Sequence, residues 1–316
     1  MAQQRARSSG GALILRNEDL DRGRCKPQFV SAMFEDLRWF GFEWQEGPDC
    51  GGAFPPYSQS ERREFYVAAL EKLRAADVVY PCVCSRQDVL RALRAPHADE
   101  EEPIYPGVCR PTKRVVWRVA SGEEKKPDTV SSRGTDSSRR SEANAASSRR
   151  SEANADSSRR SEAKADHAPP SSPSTLDPRP SFPRTNWRFR IPDGQVISFV
   201  DANLGPQQFV AGKDFGDFVV WRHDDVPAYQ LAVVVDDAAM KITEVVRGED
   251  LLVSTPRQLL IYHALGLATP EFYHCPLVTD DSGTRLAKRH DALSLRALRA
   301  KGLTPEELTN GWRREA

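Results

Sequence analysis

Apolar positions along the chain fall either in short solid runs or at helical spacing, and the alternation of the two predicts an α/β fold. One solid run, Leu231-Ala-Val-Val-Val235, lies inside the stretch Phe218–Leu252 and predicts a strand over Tyr229–Val235 that is covered on both faces. Phe218–Arg222 and Ile242–Val246 predict two further strands beside it, each ending in charged residues. Tyr229, Asp236, Asp237, Arg247, Glu249 and Asp250 gather at these ends, where α/β sheets collect ligands. Taken alone, the same pattern describes a buried sheet with solvated turns. Ala12–Arg16 predicts another buried strand.

Helical spacing governs the rest. Phe29, Val30, Met33, Phe34 and Leu37 share one face of a helix from Pro27 to about Phe40, which Gly41 ends. A capping box of Ser58 and Glu61 opens a second helix, over about 59–76, with Phe65, Ala69, Leu70 and Leu73 toward the core. Ser85 and Asp88 open a short helix that Pro96 stops. Trp187–Ile191, a Pro-Asp-Gly turn and Gln195–Val200 predict a hairpin. Thr255 and Pro256 start an amphipathic helix that Gly266 closes, and Thr304-Pro305 starts the last one.

Composition changes this picture in one place. From about Ser121 to Pro183 the unit SSRRSEANAA, at 137–146, recurs as SSRRSEANAD and SSRRSEAKAD, and a Ser/Pro tract follows. Such units hold no large apolar side chain, so the segment is expected to be a disordered, solvated insertion. It also accounts for a mean hydropathy of -0.58 and a hydrophobic share of 39%. Val115–Val119 before it and Trp187–Ile191 after it are expected to be neighbours, because a long loop adds little closure entropy. Net charge is zero, with 45 basic and 45 acidic residues, so nothing global points to nucleic acid. No apolar run approaches the ~20 residues of a membrane span. Six cysteines in 316 residues make no disulfide scaffold, and a cytoplasmic setting is expected.

Chemistry concentrates in two places. Cys82-Val-Cys84 and Cys109, with Tyr105 four residues before the last, suit a zinc site with one position open for His97, Tyr105 or water. Buried free thiols are the competing reading. Arg285-Leu-Ala-Lys288-Arg289-His290 puts several cations on a tight loop, which suits phosphate or, alone, a solvated basic turn. Glu18 and Asp19 can bind an ammonium or cap a turn. No Walker A and no G-x-G-x-x-G pattern is present.

Together these pieces resemble a known family. RNEDLD at 16–21 resembles the R-x-E-D-x-D element of class I glutamyl-tRNA synthetases. AYQLAVVVDD (228–237) and EVVRGEDLL (244–252) resemble their central active-site segments, and RLAKR (285–289) resembles their KMSKS-type loop. The C-x-C…Y-x-x-x-C pattern is similar to the zinc site of the glutamyl-Q tRNA(Asp) synthetase branch. The resemblance implies a Rossmann-like catalytic domain: an incomplete first part over 1–78, a zinc-binding region over 79–120, the 121–183 insert, and the remainder over 184–316. It implies ATP-dependent activation of L-glutamate, with Mg²⁺, and its transfer to queuosine in the anticodon of tRNA(Asp). Glu18 is then expected to meet the glutamate ammonium, Tyr229 and Arg247 to hydrogen-bond the amino acid, and Lys288 to contact ATP phosphates as the catalytic cation. Cys82, Cys84, Tyr105 and Cys109 are expected to hold Zn²⁺.

Three departures qualify the resemblance. The family's H-x-G-H/S helix start, which binds ATP, has no counterpart here, since the first histidine is His97; a start upstream of Met1 is expected. Without that segment, a non-catalytic tRNA- or amino-acid-binding relic is the alternative. Only 26 residues follow His290, so an ordinary glutamyl-tRNA synthetase with its helical anticodon-binding region is the lesser alternative. Asn17 replaces an apolar residue of the family motif, and in the loop Arg285 keeps the charge while Ala287 removes a hydroxyl.

Overall fold

The computed structural model describes residues 1–21, 23, 25–84, 104–112, 185–277 and 294–314, all within one compact unit made of Met1–Trp117 and Ser181–Ala316. The 121–183 insert, the Ser85–Pro96 helix, His97, Val115–Val119 and the loop with Arg285, Ala287 and Lys288 lie outside the described residues.

Two sheets divide the strands. The first is antiparallel, in the order β1 (Val79–Cys82), β2 (Asn186–Phe189), β5 (Phe218–Trp221). The second runs β4 (Gly205–Val210), β3 (Val196–Asp201), β7 (Glu271–Cys275), β6 (Glu244–Gly248). In it β3 and β4 form an antiparallel hairpin, while β7 pairs parallel with both β3 and β6. The expected hairpin between the 187–191 and 195–200 segments is therefore absent: β2 and β3 enter different sheets, and the tight connection joins β3 to β4 instead. Parallel β6 and β7 need a crossover, which helix α5 (Ser254–Leu265) supplies.

The helices carry the larger surprises. Tyr229–Val235, read as a strand, is the first part of helix α4, Tyr229–Ala239. Leu231 through Asp237 are all buried, because α4 lies against α3 (Arg63–Ala75), α5 and β5. A helix enclosed on all sides has no polar face, so its apolar run cannot be told from a strand's by period, and packing overrides the β preference of its valines. Asp236 and Asp237, taken for the end of a strand, sit inside the helix as buried, paired carboxylates.

Helix α3 has Tyr66, Ala69, Leu70 and Leu73 buried, but Phe65 is exposed beneath the Arg62 guanidinium. The Ser58–Glu61 capping box does not form; Gln59–Glu61 is a 3-10 turn, and Asp19 takes the Ser60 N–H at 2.8 Å. Helix α2 (Pro27–Trp39) matches its predicted span, yet none of its residues is fully buried. Residues 12–16 form no strand; only bridging bonds tie them to 45–46, including Leu15 N to Glu46 O at 2.8 Å. Thr304 and Glu307 bond each other's backbone N–H reciprocally at the start of α7 (Pro305–Arg314), after the short α6 (Leu295–Ala300). Gly266 ends α5 with φ 65, the left-handed cap a glycine adopts freely. An unforeseen helix, α1 (Ala2–Ser8), docks through Arg5, which pairs with Glu244 at 2.9 Å and stacks on Tyr273.

One core joins both sheets. Tyr66, Leu70, Leu73, Phe189, Phe218, Trp221, Leu231, Val234, Ile261 and Phe272 belong to it, and Phe189 stacks on Phe218 at 5.2 Å. A second, small cluster of Tyr80, Cys82 and Tyr105 sits apart from it.

Candidate active site and metal centre

The first candidate site forms around helix α4 and the end of β6. Glu18 is exposed, Tyr229 is 38% exposed with most of its ring covered, and Arg247 is half-buried. Burial raises the Tyr229 phenol above its ordinary value; the neighbouring Arg247 cation opposes this, and the Glu18 and Asp237 charges add to it. All three sequence-predicted residues therefore share one electrostatic neighbourhood. Burial also lowers the Arg247 guanidinium, against the pull of Tyr229 and Asp237.

Arg16 ties this neighbourhood to the core. Its guanidinium donates to Asp237 at 2.7 Å and to Glu18 at 3.2 Å, and its Nε lies 3.6 Å from Asp236. Burial works against its charge, but Asp237, Glu18 and Asp236 outweigh that and raise it. Asp236, fully buried, also accepts from Arg62 Nε at 2.6 Å, Gln59 Nε2 at 2.9 Å and the Tyr66 hydroxyl at 2.9 Å. A cavity of about 500 Å³ opens beside Arg16, Glu18, Phe54, Asp237, Lys241 and Glu244.

Arg247 is held from behind by side chains that the sequence did not mark as site residues. Its Nε donates to His274 Nε2 at 3.1 Å, Nη1 to Gln258 Oε1 at 2.8 Å, and Nη2 to Thr255 Oγ1 at 2.7 Å. Because Nε2 accepts, the His274 ring proton is assigned to Nδ1, which donates to Asp201 Oδ2 at 2.6 Å. Burial opposes the Asp201 charge, yet hydrogen bonds from His274, Leu204 and Asn203 outweigh it and hold the carboxyl below its ordinary value. Strand register explains the meeting. Arg247 on β6 lies opposite His274 on β7, and Asp201 on β3 lies opposite Phe272, two residues before His274.

The second site is the small thiol cluster. The Sγ atoms of Cys82, Cys84 and Cys109 all lie within 4.8 Å of one another, with Cys84 and Cys109 3.6 Å apart. The Tyr105 hydroxyl is 3.4 Å from Cys82 Sγ and 3.6 Å from Cys84 Sγ, and accepts from Cys109 N at 2.8 Å. A tetrahedral zinc centre spaces its sulfurs about 3.8 Å apart and its sulfurs and oxygen about 3.5 Å apart. The donor set fits that geometry with Tyr105 as fourth donor. Burial raises the Cys84 thiol to about 11; it opposes ionisation of Cys109 too, but the Val83 N–H and bonds with Tyr105, Cys84 and Cys82 bring that thiol down to about 7. Gly216 lets the chain close on this cluster, since a Cβ there would stand 2.9 Å from Tyr105 N.

The profile of the family described as tRNA synthetases class I (E and Q), catalytic domain, matches residues 1–126 and 142–316. The chain belongs to this class I synthetase family. A glutamyl-Q tRNA(Asp) synthetase of Symbiobacterium thermophilum is 42% identical over 97% of this chain and 76% of its own length. One from Nitratidesulfovibrio vulgaris is 38% identical over 96% and 76%. A glutamate–tRNA ligase of Nitrosococcus oceani is 35% identical over 96% of this chain but 52% of its own length. Among solved structures, the glutamate–tRNA synthetase of Elizabethkingia anophelis superposes with a TM-score of 0.60 at 25% identity. The two share 91% of this chain and 48% of that one, so this chain spans about half the length of the solved synthetase.

Within the class I synthetase frame, the sequence reading named Glu18, Tyr229 and Arg247, which the fold brings together, and the four donors of the thiol cluster. Lys288 falls outside the described residues. The reading missed Arg16 as an ion-pairing centre, and missed His274, Asp201, Thr255 and Gln258. Of these, only Arg16 had a signal, its place at the head of RNEDLD. The described helices include none long and apolar enough to cross a membrane.

Proposed function

We propose that this chain activates L-glutamate with ATP, with Mg²⁺, and transfers it through glutamyl-adenylate to queuosine in the anticodon of tRNA(Asp). The supporting observation is the convergence of Glu18, Tyr229 and Arg247 in one electrostatic neighbourhood, with Glu18 also lining a cavity, in a chain whose relatives named glutamyl-Q tRNA(Asp) synthetase match over 76% of their length. Glu18, exposed and anchored by Arg16, meets the substrate ammonium. Arg247, held on three sides by His274, Gln258 and Thr255, spends three of its five N–H groups on that scaffold and also bonds Tyr229, and this Arg247–Tyr229 pair meets the amino acid. A cation fixed by buried partners costs little reorganisation when substrate binds. Lys288 contacts the ATP phosphates and offsets the charge that develops as pyrophosphate leaves.

Zn²⁺ is the metal this reading assigns to Cys82, Cys84, Tyr105 and Cys109, where it ties two loop segments together and does no chemistry on substrate. The division into 1–78, 79–120, 121–183 and 184–316 follows the same reading. A cytoplasmic setting agrees with six cysteines that form no disulfide.

The decisive experiment supplies labelled glutamate and ATP with tRNA(Asp) that carries or lacks queuosine. Label that depends on queuosine and stays with the anticodon fragment after nuclease cleavage, rather than with the 3′ end, is expected. Label on the 3′ end of tRNA(Glu) instead would establish a glutamyl-tRNA synthetase, the reading favoured by the ligase relatives. Amino-acid binding with no ATP–pyrophosphate exchange would establish a binding relic.

A further inference from the structure

One buried cation stands against the thiol cluster and plays no part in the reaction just described. Arg188 lies on β2, opposite Tyr80 on β1, with Cys82 two residues further along that strand. The residue is 8% exposed. Its Nε donates to Cys82 Sγ at 3.2 Å, and Nη1 donates to the Asp217 carbonyl at 3.2 Å. The same guanidinium lies 3.9 Å from the centre of the Tyr105 ring. One side chain thus grips two of the four donors, which come from chain segments more than twenty residues apart.

Charge gives this arrangement a purpose. Three thiolates and a divalent ion sum formally to one negative charge, before any contribution from the phenol. A buried net charge is costly unless a counter-charge and hydrogen bonds meet it. An N–H···S bond from a permanent cation supplies both, and a planar guanidinium can donate to a sulfur while stacking on a ring, which an ammonium cannot do.

We propose that Arg188 is the positioning residue of the metal centre, orienting Cys82 by its N–H···S bond and Tyr105 by stacking while offsetting the charge of the filled site. This rests on the assignment of Cys82, Cys84, Tyr105 and Cys109 as metal donors. Outer partners of metal ligands commonly govern affinity by about 10–100-fold.

The test titrates the full chain with zinc against a chromophoric chelator and records the sulfur-to-metal charge-transfer band of the cobalt form. Arg188→Gln, Arg188→Lys and Cys109→Ser are compared with the unaltered protein, with circular dichroism confirming the fold. Arg188→Gln is expected to weaken zinc about 10–100-fold. Arg188→Lys keeps the charge but loses the stack, so it is expected to fall between the two and to shift the cobalt band. A folded Gln variant that binds like the unaltered protein overturns the proposal. If Gln prevents folding, Lys decides alone: unchanged affinity and an unchanged band overturn it. Failure of the unaltered protein to bind zinc, or full binding by Cys109→Ser, overturns the metal assignment itself.

Discussion

The thiol cluster and the Arg247 region are built in opposite ways. Donors of the thiol cluster lie within 28 residues of one another, from Cys82 to Cys109, and two remote elements, β2 with Arg188 and the close approach at Gly216, steady them. Side chains around Arg247 come from β3, β6, β7, α4 and α5, and the Arg16–Asp237 pair beside them spans 221 positions of sequence. A local site can be made or unmade by its ligand. A site assembled across the whole fold is made only when the fold is. The cluster should therefore respond to metal, and the Arg247 region to core substitutions.

The largest effect is expected where the distributed site meets the core. Asp236→Asn removes the charge facing Arg62, which is 1% exposed and would be left uncompensated. Breaking a buried pair in this way costs about 3–5 kcal/mol. Denaturant unfolding should show that loss, with the metal content of the folded fraction unchanged. A loss below about 1 kcal/mol would mean that water or relaxation already relieves the pair, and that the two regions differ less than their geometry suggests.

Metal removal should act the other way. Binding to the folded state alone adds about 2.7 kcal/mol when free metal stands a hundredfold above its Kd. A chelator, or Cys109→Ser, should remove that increment from the melting profile while leaving glutamate binding close to its starting value. Loss of glutamate binding on chelation would merge the two sites into one and defeat the comparison.

Within the distributed site the test is His274→Leu, with His274→Gln as the conservative partner. Leu deletes the acceptor for Arg247 Nε and the donor to Asp201. A hydrogen bond to a charged group contributes about 1.5–3 kcal/mol, so the glutamate concentration for half-saturation should rise about tenfold or more. The Gln amide oxygen can still accept, and should recover part of this. The ATP requirement should not move. Equal changes for glutamate and ATP would show a general loosening of the sheet rather than control of Arg247.

How legible each region was in the sequence follows from the same contrast. C-x-C and the later Cys109 pointed to the thiol cluster, because thiols close in sequence can meet across a short span of chain, while its fourth member, Tyr105, was chosen over His97 or water through the resemblance. Arg188 and Gly216 carried no signal, since nothing in the spacing of residues 188 and 216 says which loop they approach. Glu18, Tyr229 and Arg247 were found through a resemblance to whole motifs, and their local reading as strand ends was half wrong. Tyr229 begins a helix, and Asp236 and Asp237 lie within it. His274 and Asp201 became visible only with the parallel register of β6 and β7, which no local pattern encodes.

Gly216→Ala gives the smallest and sharpest test of the local site. The added Cβ would stand 2.9 Å from Tyr105 N and from Ile104 Cγ2. A side-chain methyl can rotate away, but the Tyr105 backbone can yield only by moving the phenol that lies beside Cys82 and Cys84. Overpacking of this kind costs about 1–3 kcal/mol, and a pliant loop belongs at the low end. Zinc affinity should fall by about tenfold, which is 1.4 kcal/mol. Glutamate binding should not change, since Tyr105 touches none of the groups around Arg247. If glutamate binding weakens with it, strain passes from the cluster into the larger fold, and the cluster is less self-contained than its compact sequence span implies.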